Sequence, residues 1–427
     1  MTNPRQAAAQ ALLQVFRDGA YSNLTAPRLW EQLEPRDRSF AHALFYGVLE
    51  RAVTLDWAIG TCSRTPVERL TPEVRELLRC GVYQLLYMPA IPPSAAVNET
   101  VGLTRTMGQP QAAGFVNGVL RTFLRRDCAY PLPKDKLLAS AVTYGVPAPL
   151  VGALRRDYGH RPAMDFLEAC QQKAPTFARV NTLRTTRDRL LAALAAQGVE
   201  ALPCPELPDA IQLPDTGNPA DLEAFRAGLF HVQDLSSQYC ARVVDPRPGM
   251  RVLDLCAAPG GKTFTMAQGL EDRGQVVARD LYPHRVGLVE EGAARLGLAS
   301  VRTGVGDAQV HDPQLGTFDR VLCDVVCSGY GVIRRKPEIR YKDPRGLDGI
   351  REPQYNILCT ALHYLKEGGR LVYATCTLRP QENEDIVRAA LEAHPGFVLE
   401  GEMETLLTGP RWRGDGFFVA AIRREGT

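Results

Sequence analysis

The sequence predicts a multidomain chain. An all-α N-terminal domain covers residues 1–132 and a small α/β domain covers 133–235. A C-terminal α/β domain over 236–427 is built on a doubly wound, mostly parallel sheet of the Rossmann-like kind. Three observations lead there. Residues 5–128 carry apolar side chains at helical spacing and no strand-like alternation. From Gly249 onward, short apolar runs alternate with helical patterns, as βαβ units do. The length of 427 residues, 45% apolar and 23% charged, suits two to four domains with sizeable cores.

The elements follow in order. Phe40, Leu44 and Val48 share one helical face, as do Leu78, Val82 and Leu85. Prolines 66, 72, 89, 92 and 93 punctuate this region. It closes on Arg121, Arg125 and Arg126, and Pro131 and Pro133 mark a linker. In the middle domain Arg179–Leu183 reads as a strand and Asp188–Gln197 as a helix. In the C-terminal domain the strands are Arg251–Leu255, Gln275–Arg279, Arg320–Cys323 and Arg370–Thr375. Val286, Val289, Ala293 and Leu296 give one intervening helix its buried face.

Composition excludes several classes. No apolar run approaches the ~18 residues of a membrane span. The N-terminus, with Arg5, Gln6, Gln10, Gln14, Arg17 and Asp18 among its alanines, lacks the apolar stretch of a signal peptide. The expectation is a cytoplasmic chain with no membrane partner; an oligomer is not implied. The 11 cysteines form no CxxC pair, so neither a disulfide framework nor a metal site is expected. Net charge is only +2, but residues 1–150 carry +4 and the remainder −2.

In parallel sheets ligands bind beyond the carboxyl ends of the strands. Asp254-Leu-Cys-Ala-Ala-Pro-Gly-Gly-Lys-Thr263 follows the first such strand. Gly260 and Gly261 allow a tight turn, and the helix after them offers free N–H groups to an anion. A Walker A loop needs glycine where Cys256 stands, and GxGxxG is absent. Asp280 ends the second strand, where a carboxylate can accept hydrogen bonds from ribose hydroxyls. Asp307 is placed to accept one from an adenine amino group. Together they favour an adenosine-containing ligand without a triphosphate grip. Cys327 and Cys376 follow two further strands, with Asp324 near both, a constellation for covalent catalysis. Arg334, Arg335, Lys336, Arg340, Lys342 and Arg345 form a basic loop, read as a contact for a polyanion backbone.

Asp254–Thr263 and Thr375-Cys-Thr-Leu-Arg-Pro-Gln-Glu-Asn-Glu384 resemble motifs of the RNA cytosine-5 methyltransferases. Phe230–Gln238 and Asp415–Phe418 resemble further marks of that family. Arg38–Gly47 and Gly114–Arg121 resemble the NusB antitermination-factor fold. The combination is similar to the bacterial members that act on 16S ribosomal RNA. The resemblance implies that Cys256, Ala257, Ala258, Pro259, Gly260, Gly261 and Lys262 bind S-adenosylmethionine, with Asp280 on the ribose, Asp307 on the adenine and Asp324 at the site. It implies Cys376 as the nucleophile on carbon 6 of cytosine, Cys327 as the residue assisting release, and Asp324 as a protonated carboxyl at ring nitrogen 3. No metal is required. One departure is Val326, where the family usually has proline, so the Cys327 loop is expected to be looser. The alternatives are a tRNA or other RNA target, a catalytically impaired RNA-binding assembly factor, and an NTPase, which Cys256 disfavours.

Overall fold

The computed structural model of the chain describes every residue except Met1, Thr2, Gln32, Asp343 and Thr427. It divides into two compact units. One comprises Met1–Gln171 with Arg335–Lys342, the other Gln172–Arg334 with Asp343–Thr427.

The first unit is helical: α1 (Pro4–Asp18), α2 (Ser22–Trp30), α3 (Pro35–Cys62), α4 (Pro72–Tyr87), α5 (Pro93–Thr106), α6 (Ala113–Arg125), α7 (Lys136–Tyr144), α8 (Ala148–Tyr158) and α9 (His160–Ala169). Pro35, Pro72 and Pro93 open α3, α4 and α5, where a missing N–H has no helical partner to lose. Leu44 and Val48 of α3, Leu78 and Val82 of α4, and Leu120 and Phe123 of α6 fill one core. The 3.6-residue spacing thus becomes a buried face, as expected. Phe40 and Leu85 sit at its margin.

The segment Arg335–Lys342 corrects the reading of the basic loop. It is part of the helical unit. Arg340 is 1% exposed and donates to the Glu50 carbonyl at 2.6 Å. Glu338 accepts the Ser22 hydroxyl at 2.9 Å, and the Tyr341 hydroxyl donates to the Leu49 carbonyl at 2.6 Å. Arg334, in the second unit, pairs with Asp415 at 3.5 Å. Of this loop Lys336 alone is exposed among the described residues. The Arg345 side chain lies outside them.

The second unit holds two sheets. The smaller joins β1 (Thr176–Val180), β2 (Leu202–Pro203), β3 (Ala210–Leu213) and β4 (Phe230–Val232), all antiparallel in the order β2-β3-β1-β4. Leu190 and Leu194 of α10 (Arg187–Ala196) and Ala224 of α11 (Glu223–Arg226) pack on it. The larger sheet comprises β5 (Arg251–Asp254), β6 (Gln275–Asp280), β7 (Val301–Val305), β8 (Phe318–Asp324), β9 (Leu365–Thr375), β10 (Phe397–Leu399), β11 (Glu404–Leu406) and β12 (Phe417–Arg424).

Its order is β10-β12-β9-β8-β5-β6-β7, with β11 on β12. The run β9-β8-β5-β6-β7 is parallel, and β10, β11 and β12 close the far edge antiparallel. The sheet is therefore mostly parallel but mixed, and that antiparallel edge was not read from sequence. Period-two alternation divides each strand between two cores. Val252, Leu322 and Val372 face α12 (Leu235–Val244), α13 (Gly261–Gly269) and α14 (Pro283–Leu296). Leu253, Val321, Leu371 and Tyr373 face α15 (Arg351–Leu362) and α16 (Glu384–Ala393). All four apolar positions read for α14 are buried. The chain runs outward from β5 through β6 and β7, then returns to β8 on the other side of β5. The connections leaving β5 and β8 diverge, which opens a crevice beyond Asp254 and Asp324.

Arg340→Ala is expected to lower stability by about 1–3 kcal/mol, because it removes a buried guanidinium and leaves the Glu50 carbonyl without this donor. Denaturant unfolding measures the loss; an unchanged midpoint would show that the segment contributes nothing to the helical unit.

Candidate active site

The loop from β5 to α13 bends at Gly260, whose φ of 106° lies in the left-handed region. A Cβ there would run into the Phe264 ring. The bend brings Lys262 onto the first turn of α13, facing the end of β8. Its ammonium lies 2.5 Å from Asp324 Oδ2, 3.3 Å from Ser237 Oγ and 5.2 Å from the Phe417 ring centre. Burial works most strongly against the charged Lys262, but Asp324, Cys240 and Asp254 together outweigh it and the net shift is upward. Where the resemblance implied Asp324 at ring nitrogen 3, the structure gives it the Lys262 ammonium as its partner.

Asp254 is 1% exposed at the end of β5. Its Oδ2 accepts the Thr263 hydroxyl at 2.7 Å, and its Oδ1 has no partner. Burial pushes its pKa up to about 7 against the pull of the Thr263 hydrogen bond, and the charge of Asp324 adds to the rise. Asp280 ends β6 as expected. It accepts the Ala258 N–H at 3.2 Å and the Tyr282 N–H at 3.4 Å, tying the β5–α13 loop to the next strand. Asp307 is exposed beyond β7, and its Oδ1 accepts the Gln309 N–H at 2.9 Å.

A cleft of about 160 Å³ opens at this crevice. Cys256, Ala257, Ala258, Pro259, Gly261, Lys262 and Asp324 line it, together with Asp254 and residues that precede or open α12. Gly260, Asp280, Asp307, Cys327 and Cys376 are not in its wall. The Cys327 and Cys376 thiols instead meet on adjacent loops, 3.2 Å apart, after β8 and β9. The contact with Cys376 comes first, then burial and the charges of Glu382 and Asp324, in pushing the Cys327 thiol well above its ordinary range. The loops are cross-tied by the Gly331 N–H to the Cys376 carbonyl at 2.9 Å. A Cβ on Gly331 would collide with the Gly416 carbonyl.

The family described as 16S rRNA methyltransferase RsmB/F matches residues 241–423. The NusB family matches residues 2–125, and the ferredoxin-like domain of RsmF/B-like methyltransferases matches 146–218. The probable ribosomal RNA small subunit methyltransferase B of Bacillus subtilis is 33% identical across 100% of this chain and 99% of its own. The chain belongs to the RsmB/F methyltransferase family. The ribosomal RNA small subunit methyltransferase B of Escherichia coli is 36% identical over 99% of both chains. The crystal structure of PH0851 shares the fold over 99% of both chains, with a TM-score of 0.80 at 24% identity.

In this methyltransferase, sequence reasoning missed Gln233 as a site residue. It is 5% exposed in the cleft wall. Its Oε1 accepts the Thr265 hydroxyl at 2.7 Å and faces His231 Nε2 at 3.1 Å. Burial, helped by the charge of Arg179, holds the His231 pKa down to about 3, so the ring is neutral at pH 7. Both partners fix the orientation of the amide, leaving Gln233 Nε2 without a partner. The signal was within the Phe230–Gln238 stretch, whose chemistry had no assigned role.

Asp254 gives a pH test. The folded chain retains its proton up to about pH 7, whereas the unfolded chain releases it near 3.8. Its contribution is therefore most favourable below the unfolded value and declines as pH rises through that window. Asp254→Asn is expected to remove this decline, so the variant gains on the parent between about pH 5 and about pH 7.5 in denaturant midpoint. Parallel pH profiles would contradict the shifted carboxyl.

Proposed function

We propose that this methyltransferase moves the methyl group of S-adenosylmethionine to carbon 5 of a specific cytosine in 16S ribosomal RNA, through a covalent bond from Cys376 to carbon 6. The observation that carries the reading is the pair of thiols 3.2 Å apart beside the Lys262–Asp324 ion pair. On such a substrate it works in the cytoplasm.

The residues of the cleft fit the cofactor. Gln233 Nε2 and Asp254 Oδ1 are buried polar atoms without partners in its wall, suited to the carboxylate and the ammonium of a methionine moiety. The N-terminus of α13 favours the same carboxylate. Asp280 retains lone pairs for ribose hydroxyls, and Asp307 is open to an adenine amino group. Cys256–Pro259, Gly261 and Lys262 supply the intervening wall. S-adenosylmethionine supplies an electrophilic methyl group when bound.

Carbon 5 of cytosine is a poor nucleophile until a thiolate adds to carbon 6. A Cys327 thiol held protonated can donate to a Cys376 thiolate across their contact and stabilise it. As the Cys376 sulfur bonds to carbon 6, electron density moves through the ring to carbon 5 and towards nitrogen 3. The Asp324 carboxylate can accept the 4-amino N–H, and the Lys262 ammonium offsets negative charge on the ring. After carbon 5 has gained the methyl, a base removes its proton; the electron pair restores the ring double bond and expels the Cys376 thiolate. Cys327 is placed to exchange protons with the departing sulfur. The base must leave its stack, so the target is an unpaired or accessible segment.

RNA contact is assigned to the helical unit, where Arg121, Arg125 and Arg126 are exposed on and just beyond α6. Replacing Arg121 and Arg125 by glutamine is expected to reduce the slope of log affinity against log salt by about 1 for each phosphate that is no longer neutralised. An unchanged slope would remove that face from the RNA contact.

The enzyme incubated with unmodified 16S RNA and labelled S-adenosylmethionine is expected to place label on cytosine carbon 5. Cys376→Ala should abolish transfer while cofactor binding persists by calorimetry. Cys327→Ala should accumulate a protein–RNA adduct that survives denaturant and vanishes in the double variant. Full activity in both single variants would sink the covalent route.

A further inference from the structure

The Cys327 segment is gripped by two buried side chains that no step above uses. Gln354 on α15 is 1% exposed and donates through Nε2 to the Val326 carbonyl at 2.9 Å and to Glu382 Oε2 at 3.1 Å. Glu382, fully buried just after β9, accepts the Ser328 N–H on that same oxygen at 2.8 Å. The residues on either side of Cys327 are therefore held by one side-chain pair.

The grip reaches the second thiol. Ser328 Oγ lies 2.6 Å from Thr377 Oγ1, next to Cys376. Asn383, adjacent to Glu382, accepts the Thr375 hydroxyl at 2.6 Å and donates to the Thr377 carbonyl at 3.1 Å. Glu382 is itself anchored by Arg379 at 3.0 Å through its other oxygen. The segment supplies little constraint of its own: Val326 is 63% exposed and Gly329 has a φ of 82°. Buried, hydrogen-bonded partners that orient reactive side chains have large kinetic effects because small displacements are costly.

We propose that Gln354 and Glu382 are positioning residues that hold the Cys327 segment against Cys376 and thereby govern release of the methylated base. The inference deepens the function proposed above and rests on it for the release step. The clamp supplies by hydrogen bonds the constraint that a proline at 326 would supply by ring closure. The Glu382 charge also favours a protonated Cys327, behind the Cys376 contact and burial.

The test uses full-length Gln354→Leu and Glu382→Gln; if one does not fold, the other carries it. Alkylation of Cys327 by iodoacetamide, in a Cys376→Ala background, reports the segment without reference to any reaction. Adduct trapping with 16S RNA and S-adenosylmethionine reports release. The expectation is a several-fold change in alkylation rate and release slowed by up to about 10²-fold. Cofactor affinity should stay at the parent value, and in a Cys327→Ala background the same substitutions should slow release no further. Alkylation and release at parental rates overturn the clamp. So does a uniform loss of every step together with cofactor binding, since that is the mark of general destabilisation. Altered alkylation in a protein whose parent makes no 5-methylcytosine leaves the clamp standing and fells the cytosine reading instead.

Discussion

The Lys262 ammonium and the Asp324 carboxylate join the two strand ends on either side of the crevice. One stands on the first turn of α13, the other at the tip of β8. A lone charge at that depth is penalised by several kcal/mol, so each group requires the other. The pairing also divides the labour between the strand-end carboxylates Asp254 and Asp324. Asp324 takes the positive charge, while Asp254, deeper, is pushed by burial towards its neutral form. Cofactor wall and thiol loops are consequently built from opposite sides of one ion pair. The order of the strands makes this possible, because the connections from the neighbouring strands β5 and β8 leave to opposite sides.

Much of this arrangement was legible as residues at strand ends. Asp254, Asp280 and Asp324 do end β5, β6 and β8, and Cys376 directly follows β9. Apolar periodicity locates a strand, and the polar residue that interrupts it marks where the strand meets solvent or ligand. The antiparallel edge was harder. Phe417–Arg424 is an apolar run without clean alternation, and β10 and β11 have three residues each, too short to show a period. Asp307 was read from its place after a strand, and its exposure depends on how far the chain extends beyond β7.

Charge misled where burial decides. Arg340 and Lys336 look alike in sequence, yet one is enclosed and the other is exposed. A buried guanidinium needs carbonyls supplied by a distant stretch of chain, here around Glu50, and nothing local announces them. Gln233 and Gln354 escaped notice for the same reason. A glutamine has no pattern of its own; its role is set by which oxygen and nitrogen atoms surround it. Val326 shows the converse. The local sequence suggests a loose loop, while a glutamine 28 positions away, on α15, holds its carbonyl.

The membership of Arg335–Lys342 in the helical unit bears on biosynthesis. Chains emerge from the ribosome N-terminus first, at ~5–20 residues per second, and domains commonly fold as they appear. Here the N-terminal helices emerge without the piece that occupies Arg340's place beside Glu50. They wait for it while all of residues 172–334 are translated. During that interval the nascent helical unit has an open seat, which only its own later chain can fill. Completion of the first-made part is thereby delayed until the β8 loop, with Cys327, has already been made.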